Sequence, residues 1–442
     1  MQLKRTWSIA LSLVTFVGVA HAAPLSPLVK GPYVQELAST SVVVRAEVDP
    51  PAPVTVRLES PGKPRDIVDA TVGAWHSVHV DGLSPKTTYK YSILSNGATS
   101  TATFTTAPPD DDTAPISFLV YGDSRTDAIK QASVVRAMQG ETSDFLIYTG
   151  DFVDDGASPA NWQVFFDVEE GLIKDHCLYA AVGNHELTEG GAGSFLRYFG
   201  TEHAQKDHRL DDTIRWSMVR FFFINGWGSL ASGPDRDWLD KALSDADAEP
   251  GIVWRFLVVH HGPYSSSLHG NNEKFQTGEL LPLLTKHKID MVISGHDHVY
   301  ERGNEGLLRY VVSGGGGAPL YPVNDPLPQT RKAVSDYHYL AVSITKDQVS
   351  FIAKRPDSTR IEQASFTTKS QSAWDGEPAI TLKPAATATA TTSAPAPAKR
   401  SDCDCDIAPS AGGFGVGLGW WVAVAVLVRR RLDSRSRSAL RY

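Results

Sequence analysis

Cysteine is scarce in this chain: 442 residues hold three, Cys177 and the close pair Cys403 and Cys405. That is too few for a disulfide framework and wrongly spaced for a zinc-finger quartet, so the cores must hold by burial alone. A basic surplus is missing too. Lys plus Arg number 42 against 50 Asp plus Glu, a formal charge of −8, which excludes dedicated nucleic-acid binding. The Gly-rich run of residues 314–317 is not followed by Gly-Lys-Ser/Thr, which excludes a nucleotide P-loop and leaves a turn beside a cleft. What is present suffices for real cores. A hydrophobic content of 42%, over a length that allows two or three domains, excludes wholesale disorder.

The two ends read as addresses. Residues 1–22 begin with Lys4 and Arg5, continue through an apolar run over 9–20 and close on Ala20-His21-Ala22, the pattern of a secretory signal peptide. Residues 384–400 are almost wholly Ala, Thr, Pro and Ser, too poor in large apolar groups to offset the entropy of ordering, and form a linker. Beyond it come Cys403 and Cys405, an apolar stretch over 412–428 and then Arg429, Arg430 and Arg431. Seventeen helical residues span about 26 Å, enough to cross a bilayer, and the trailing arginines predict a cytoplasmic C-terminus with everything upstream outside. Residues 401–442 resemble the MYXO-CTERM class of bacterial C-terminal sorting signals. The resemblance implies recognition by sorting machinery, cleavage near the cysteines and attachment at the cell surface; a plain single-span anchor is the alternative.

Over residues 28–107, short β-branched runs alternate with Pro, Gly, Asp and Asn, the punctuation of an all-β sandwich. Leu83 to Tyr89 fits a tyrosine corner, in which a Tyr hydroxyl bonds to the backbone and pins a strand crossover. The region resembles a fibronectin type III domain, specifically the sandwich preceding the catalytic domain of purple acid phosphatases. Residues 107–115, rich in Pro and Asp, read as a hinge.

Residues 115–355 change rhythm to strand, helix, strand, with helices expected over 127–138 and 157–174. Five nearly unbroken apolar runs stop at polar residues: Gly122-Asp123, Gly150-Asp151, Gly183-Asn184-His185-Glu186, His260-His261 and Gly295-His296-Asp297-His298. In open α/β sheets, ligands gather beyond the carboxyl ends of strands, so these residues converge. Oxygen and nitrogen donors without thiolate suit hard or borderline divalent ions, and a carboxylate shared by two of them leads to binuclear hydrolysis. This ladder resembles that of the calcineurin-like metallophosphoesterases, and its last rung, Gly295 to Arg302, looks most like purple acid phosphatases. The fold so implied is a fibronectin-like sandwich followed by a four-layer α/β/β/α domain.

Carried over by position, the resemblance implies two divalent cations, Zn, Mn or Fe. Asp123 and His298 would hold the first, Asp151 would bridge, and Asn184, His261 and His296 would hold the second. His185 would be catalytic, with Glu186 orienting its ring, and His269 would bind substrate. His260 is expected to point away, as a packed neighbour. Two positions depart from the pattern. Arg125 stands where many relatives have a ligating His, and is read as a phosphate clamp or a neutraliser of carboxylates. Asp154 stands where the purple enzymes have Tyr, implying no charge-transfer colour and an oxygen ligand in its place. The stretches 189–193 and 201–212 read as mobile loops. The expected activity is exported, surface-anchored hydrolysis of small phosphomonoesters; a phosphodiesterase, or a surface binding protein with a degenerate metal site, is the alternative.

Overall fold

The computed structural model describes residues 28–277, 280–368 and 372–378. Residues 1–22, the 384–400 linker and the 401–442 tail with its 412–428 span lie outside these. Among the described residues no helix is long and apolar enough to cross a membrane.

Residues 28–105 are all β. The 20-residue strand Ser41–Ser60 carries prolines at 50, 51 and 53, and its pairing register shifts there. Its first half pairs with Leu28–Gln35 and the end of Arg65–Asp81; its second half pairs with the start of Arg65–Asp81 and with Thr88–Ser95, which pairs with Ala98–Thr105. Tyr89 makes the corner contact, its hydroxyl accepting from the Ser84 N–H at 2.8 Å.

The rest is built on two sheets. One has six strands in the order Arg360–Thr367, Gln348–Lys354, Tyr339–Ile344, Ile116–Tyr121, Phe145–Tyr148, Leu178–Ala180; the other has seven, with Trp254–Val259, Met291–Ser294 and Leu308–Ser313 parallel at its centre. Alternation sorts the side chains. Phe118, Phe145, Phe221, Phe256 and Ile293 fill one cluster between the sheets, while Leu119, Tyr121 and Leu146 face out onto helices α1 (Ala128–Met138) and α2 (Pro159–Ile173). Phe222, Leu257 and Val292 face out on the other side. Helices outside, sheets inside is the layering the sequence predicts. Asp127 and Ser158 cap α1 and α2, and Pro159 occupies the first turn of α2.

Three expectations change. The sheet runs past residue 355, through Gln348–Lys354 to Arg360–Thr367, and Trp374 is buried against it. The expected loops contain helices, Gly191–Phe199 and Glu202–Asp207, because Phe195, Tyr198 and Phe199 bury a face that local composition does not announce. The segment 107–115 is fastened, not free: the Asp110 carbonyl accepts from Arg215 at 2.9 Å and Asp112 pairs with Lys86 at 2.7 Å. Fully buried Arg45 also joins the regions, donating to the carbonyls of Tyr198 and Gly200 at 2.9 and 2.8 Å.

Candidate metal centre

Parallel strands of both sheets deliver their following residues to one place, and three of the exits are tight. Asp123, Asp151 and His296 all have positive φ, at 55°, 58° and 72°, where non-glycine residues seldom sit. Gly183 and Gly295 make room for two of them: a Cβ on either would collide with the carboxylates of Asp151 and Asp123 respectively.

The convergence yields two donor groups, Asp123–Asp151–His298 and Asp151–His260–His296, and Asp151 belongs to both. Each imidazole is oriented by a backbone carbonyl or a neighbour. His298 Nδ1 lies 2.6 Å from the Pro319 carbonyl, leaving Nε2 at 3.6 Å from Asp123. His260 Nδ1 lies 2.7 Å from the Thr149 carbonyl, leaving Nε2 at 3.3 Å from Asp151. The buried Oδ1 of Asn184 has no hydrogen-bond partner.

The charges are unbalanced for a closed structural site. Burial pushes the Asp123 carboxyl up to about 8, helped by Asp151 and opposed by His260 and Arg125. Burial acts on Asp151 as well, but His260, His185 and Arg125 outweigh it and hold that carboxyl well below its usual range. His260, despite burial, is raised to about 9 by Asp151 and Asp123. Burial lowers His298 and His261 to about 4 and takes His296 well below its ordinary value, so these rings are neutral bases at pH 7. Neutral imidazoles, two buried carboxylates and an orphaned amide oxygen fit a pair of divalent cations, whose binding would displace the protons on Asp123 and His260.

Not every expected residue arrives as expected. His260 points into the centre, where it was expected to point away. Val258 faces the inter-sheet core and Val259 the outer helices, so parity sends residue 260 inward. His261 follows just outside: its Nε2 lies 3.2 Å from the Gly270 carbonyl and its ring centroid 4.5 Å from that of His296. Asp154 is not drawn in as a ligand; its half-exposed carboxylate lies 3.5 Å from Arg125. Glu186 does not orient His185. It accepts from the backbone N–H groups of Asp151, Phe152 and Gly183, each at 2.9 Å, and so holds the Asp151 turn. The Asp154 backbone carbonyl takes over the orienting role, 2.6 Å from His185 Nδ1, with His185 Nε2 at 3.8 Å from Asp151.

Arg125 lies over the first group. Its Nε is 3.2 Å from Asp151, and its Nη2 is 3.5 Å from both His298 Nε2 and the Tyr321 hydroxyl. The Tyr321 ring stacks on His298 at 4.0 Å, a contact with no signal in the sequence. His269 stacks on His296 at 3.9 Å, and its Nδ1 lies 3.0 Å from Asp297. Gly316 and Ala318 donate to the carbonyls of Gly122 and Asp123, which places the Gly-rich run beside the cleft as expected.

Residues 116–300 match the family model of calcineurin-like phosphoesterases. The chain is 28% identical over 275 residues to purple acid phosphatase 7 of Arabidopsis thaliana, spanning 54% of this chain and 81% of that protein. With purple acid phosphatase 4 of the same plant it is 26% identical over 296 residues, 57% and 83% of the two chains. Among solved structures, a purple acid phosphatase from yellow lupin (Lupinus luteus) seeds superposes with a TM-score of 0.67 at 16% identity, over 76% of this chain and 74% of that one. PhoD superposes with a TM-score of 0.63 at 11% identity, over 79% and 91%. Sequence and fold together support a metal-dependent phosphoesterase with a two-cation centre.

Proposed function

We infer, for a metal-dependent phosphoesterase resembling the purple acid phosphatases, that the substrate is a small phosphomonoester and that the enzyme works outside the cell, tethered at its surface. The observation that carries the chemistry is the pair of donor groups sharing Asp151. When bound, the two cations polarise the phosphoryl oxygens and acidify the attacking water. Asp123 and His298 would hold the first cation; His260, His296 and the Asn184 amide oxygen would hold the second, with His261 the alternative imidazole beside them. Arg125, a planar guanidinium 3.2 Å from Asp151, would present its donors to the phosphate. His185, its Nδ1 proton fixed on the Asp154 carbonyl, delivers a proton from Nε2 to the departing alkoxide. His269, fixed on Asp297, offers Nε2 to a phosphoryl oxygen from the opposite wall.

Export and anchoring rest on the 1–22 and 401–442 segments, and five antiparallel strands, the long Ser41–Ser60 among them shifting register at its prolines, together with the Tyr89 corner contact support a fibronectin type III assignment for residues 28–107. The test uses the full chain. Two cations per chain and turnover of a chromogenic monoester, faster than of the matching diester and abolished by chelation, are expected. No turnover with Zn, Mn, Fe or Mg would return the chain to a binding role, and faster diester cleavage would overturn the monoester reading. Recovery of the mature protein in the cytoplasm, with residues 1–22 intact, would overturn the location.

A further inference from the structure

Between α1 and α2, beside the ligand groups, lies a cavity of about 270 Å³ that the chemistry above leaves unused. Arg125 is the wall it shares with the metal centre: Nε and Nη2 face Asp151 and His298, while Nη1 faces Asp154 on the cavity side. Buried Phe152, Val153 and Phe165 contribute to its lining with Ala128 and Val164. Val164 is 48% exposed, and Ile129, next along α1, is 82% exposed.

Several polar groups around this space already have partners. The Gln131 amide donates to Glu169 at 2.9 Å, the Thr126 hydroxyl donates to the Arg125 carbonyl at 2.6 Å, and the Asn161 amide oxygen accepts from Ser158 at 3.2 Å. The Asp154 carboxylate, 3.5 Å from Arg125 and half-exposed, is the acidic group on the outer side. A polyol laid against Val153, Val164 and Phe165 would lose water there without gaining partners, and an anion would meet Asp154; an apolar group would cover these side chains at no such cost. A concave space with an apolar wall and one orienting cation matches the make-up of a small-ligand site.

We propose that this cavity receives the organic arm of the phosphate ester and selects compact apolar arms, aryl or branched alkyl, over polyol and anionic ones. The proposal rests on the phosphoesterase reading, since phosphate held at the ligand groups sends its ester arm across Arg125. On the metal-loaded full chain, benzyl phosphate and glycerol 1-phosphate are compared because both release alkoxides of similar basicity. Calorimetry with benzylphosphonate and methylphosphonate gives a binding readout free of turnover.

At least a tenfold preference for the benzyl compound is expected in both measurements. Val164→Asp should cut it at least fivefold, chiefly through KM, while Val164→Leu retains it and Val72→Ser, on a distant strand, leaves it unchanged. Equal KM values for the two esters in the unmodified chain, or a preference that Val164→Asp does not alter, would overturn the cavity assignment while leaving the phosphoesterase intact. No hydrolysis of either ester and no phosphonate binding would sink the phosphoesterase reading and the assignment with it.

Discussion

Asp123 and His298, on one side of Asp151, sit beneath a guanidinium and a phenol; His260 and His296, on the other, sit beside the Trp227 indole and two further imidazoles. The first side already holds a fixed positive charge 3.2 Å from its bridging carboxylate. The second offers neutral donors, apart from His260, which gives up its proton as a cation arrives. A centre that looks symmetric in its ligand types is therefore asymmetric in affinity. The cation under Arg125 should be the weaker, and the same guanidinium that weakens it should grip the phosphate.

The comparison breaks most completely at the shared residue. Asp151→Asn should release both cations and lower turnover by at least about a thousandfold, read by metal analysis and kinetics on one sample. His185→Ala should cost about a hundredfold in kcat with both cations retained, because it removes a proton donor and no ligand. If metal content falls with it, His185 is a ligand and the assignment is wrong. The third measurement sharpens the second side: His260→Ala should leave one cation per chain and His261→Ala two, and the reverse result would restore the sequence-based choice of His261. Arg125→Ala should tighten the weaker cation by about tenfold while raising KM. A change in neither would make Arg125 a spectator.

A separate effect, on stability and not on turnover, lies behind α1 and touches neither side. Glu169 is fully buried, held by Tyr121 and Gln131 at 2.8 and 2.9 Å, and burial pushes its carboxyl up to about 7. Its folded value exceeds the unfolded one, so the folded state binds more protons between about pH 4.5 and 7 and stability falls as pH rises through that window. Glu169→Gln should remove that share of the fall, on the order of 3 kcal/mol at most, seen as a flatter plot of thermal midpoint against pH. An unchanged plot would mean the carboxylate is ionised throughout.

Much of this was legible in the chain because strand ends are. An apolar run that stops at Gly-Asp or Gly-His fixes both the strand and where its last polar side chain goes, so Asp123, Asp151, His296 and His298 meet as expected. His260 was missed by one step of parity. The count that Val258 and Val259 settle in three dimensions needs to know which face of the sheet meets the other sheet, and no local pattern carries that. Tyr321 was missed for a different reason: it reaches His298 from a segment with neither periodicity nor a Gly-ligand junction. Glu186 misled because adjacency in sequence suggests a partner, whereas its two oxygens are spent on backbone N–H groups that need an acceptor.

One hydrophobic cluster runs without interruption from Val34, through Phe118 and Phe256, to Trp374. The all-β region is thus not a detachable bead. Removing residues 28–106 would take away the Leu37 carbonyl to which the Tyr179 hydroxyl donates at 3.1 Å and leave the carbonyls of Tyr198 and Gly200 without the Arg45 guanidinium. Calorimetry of residues 28–378 should therefore show a single melting endotherm whose van't Hoff and calorimetric enthalpies agree, as expected of a single cooperative unit. For anyone reshaping this enzyme, the all-β region and the hydrolase have to be exchanged, stabilised or inherited together.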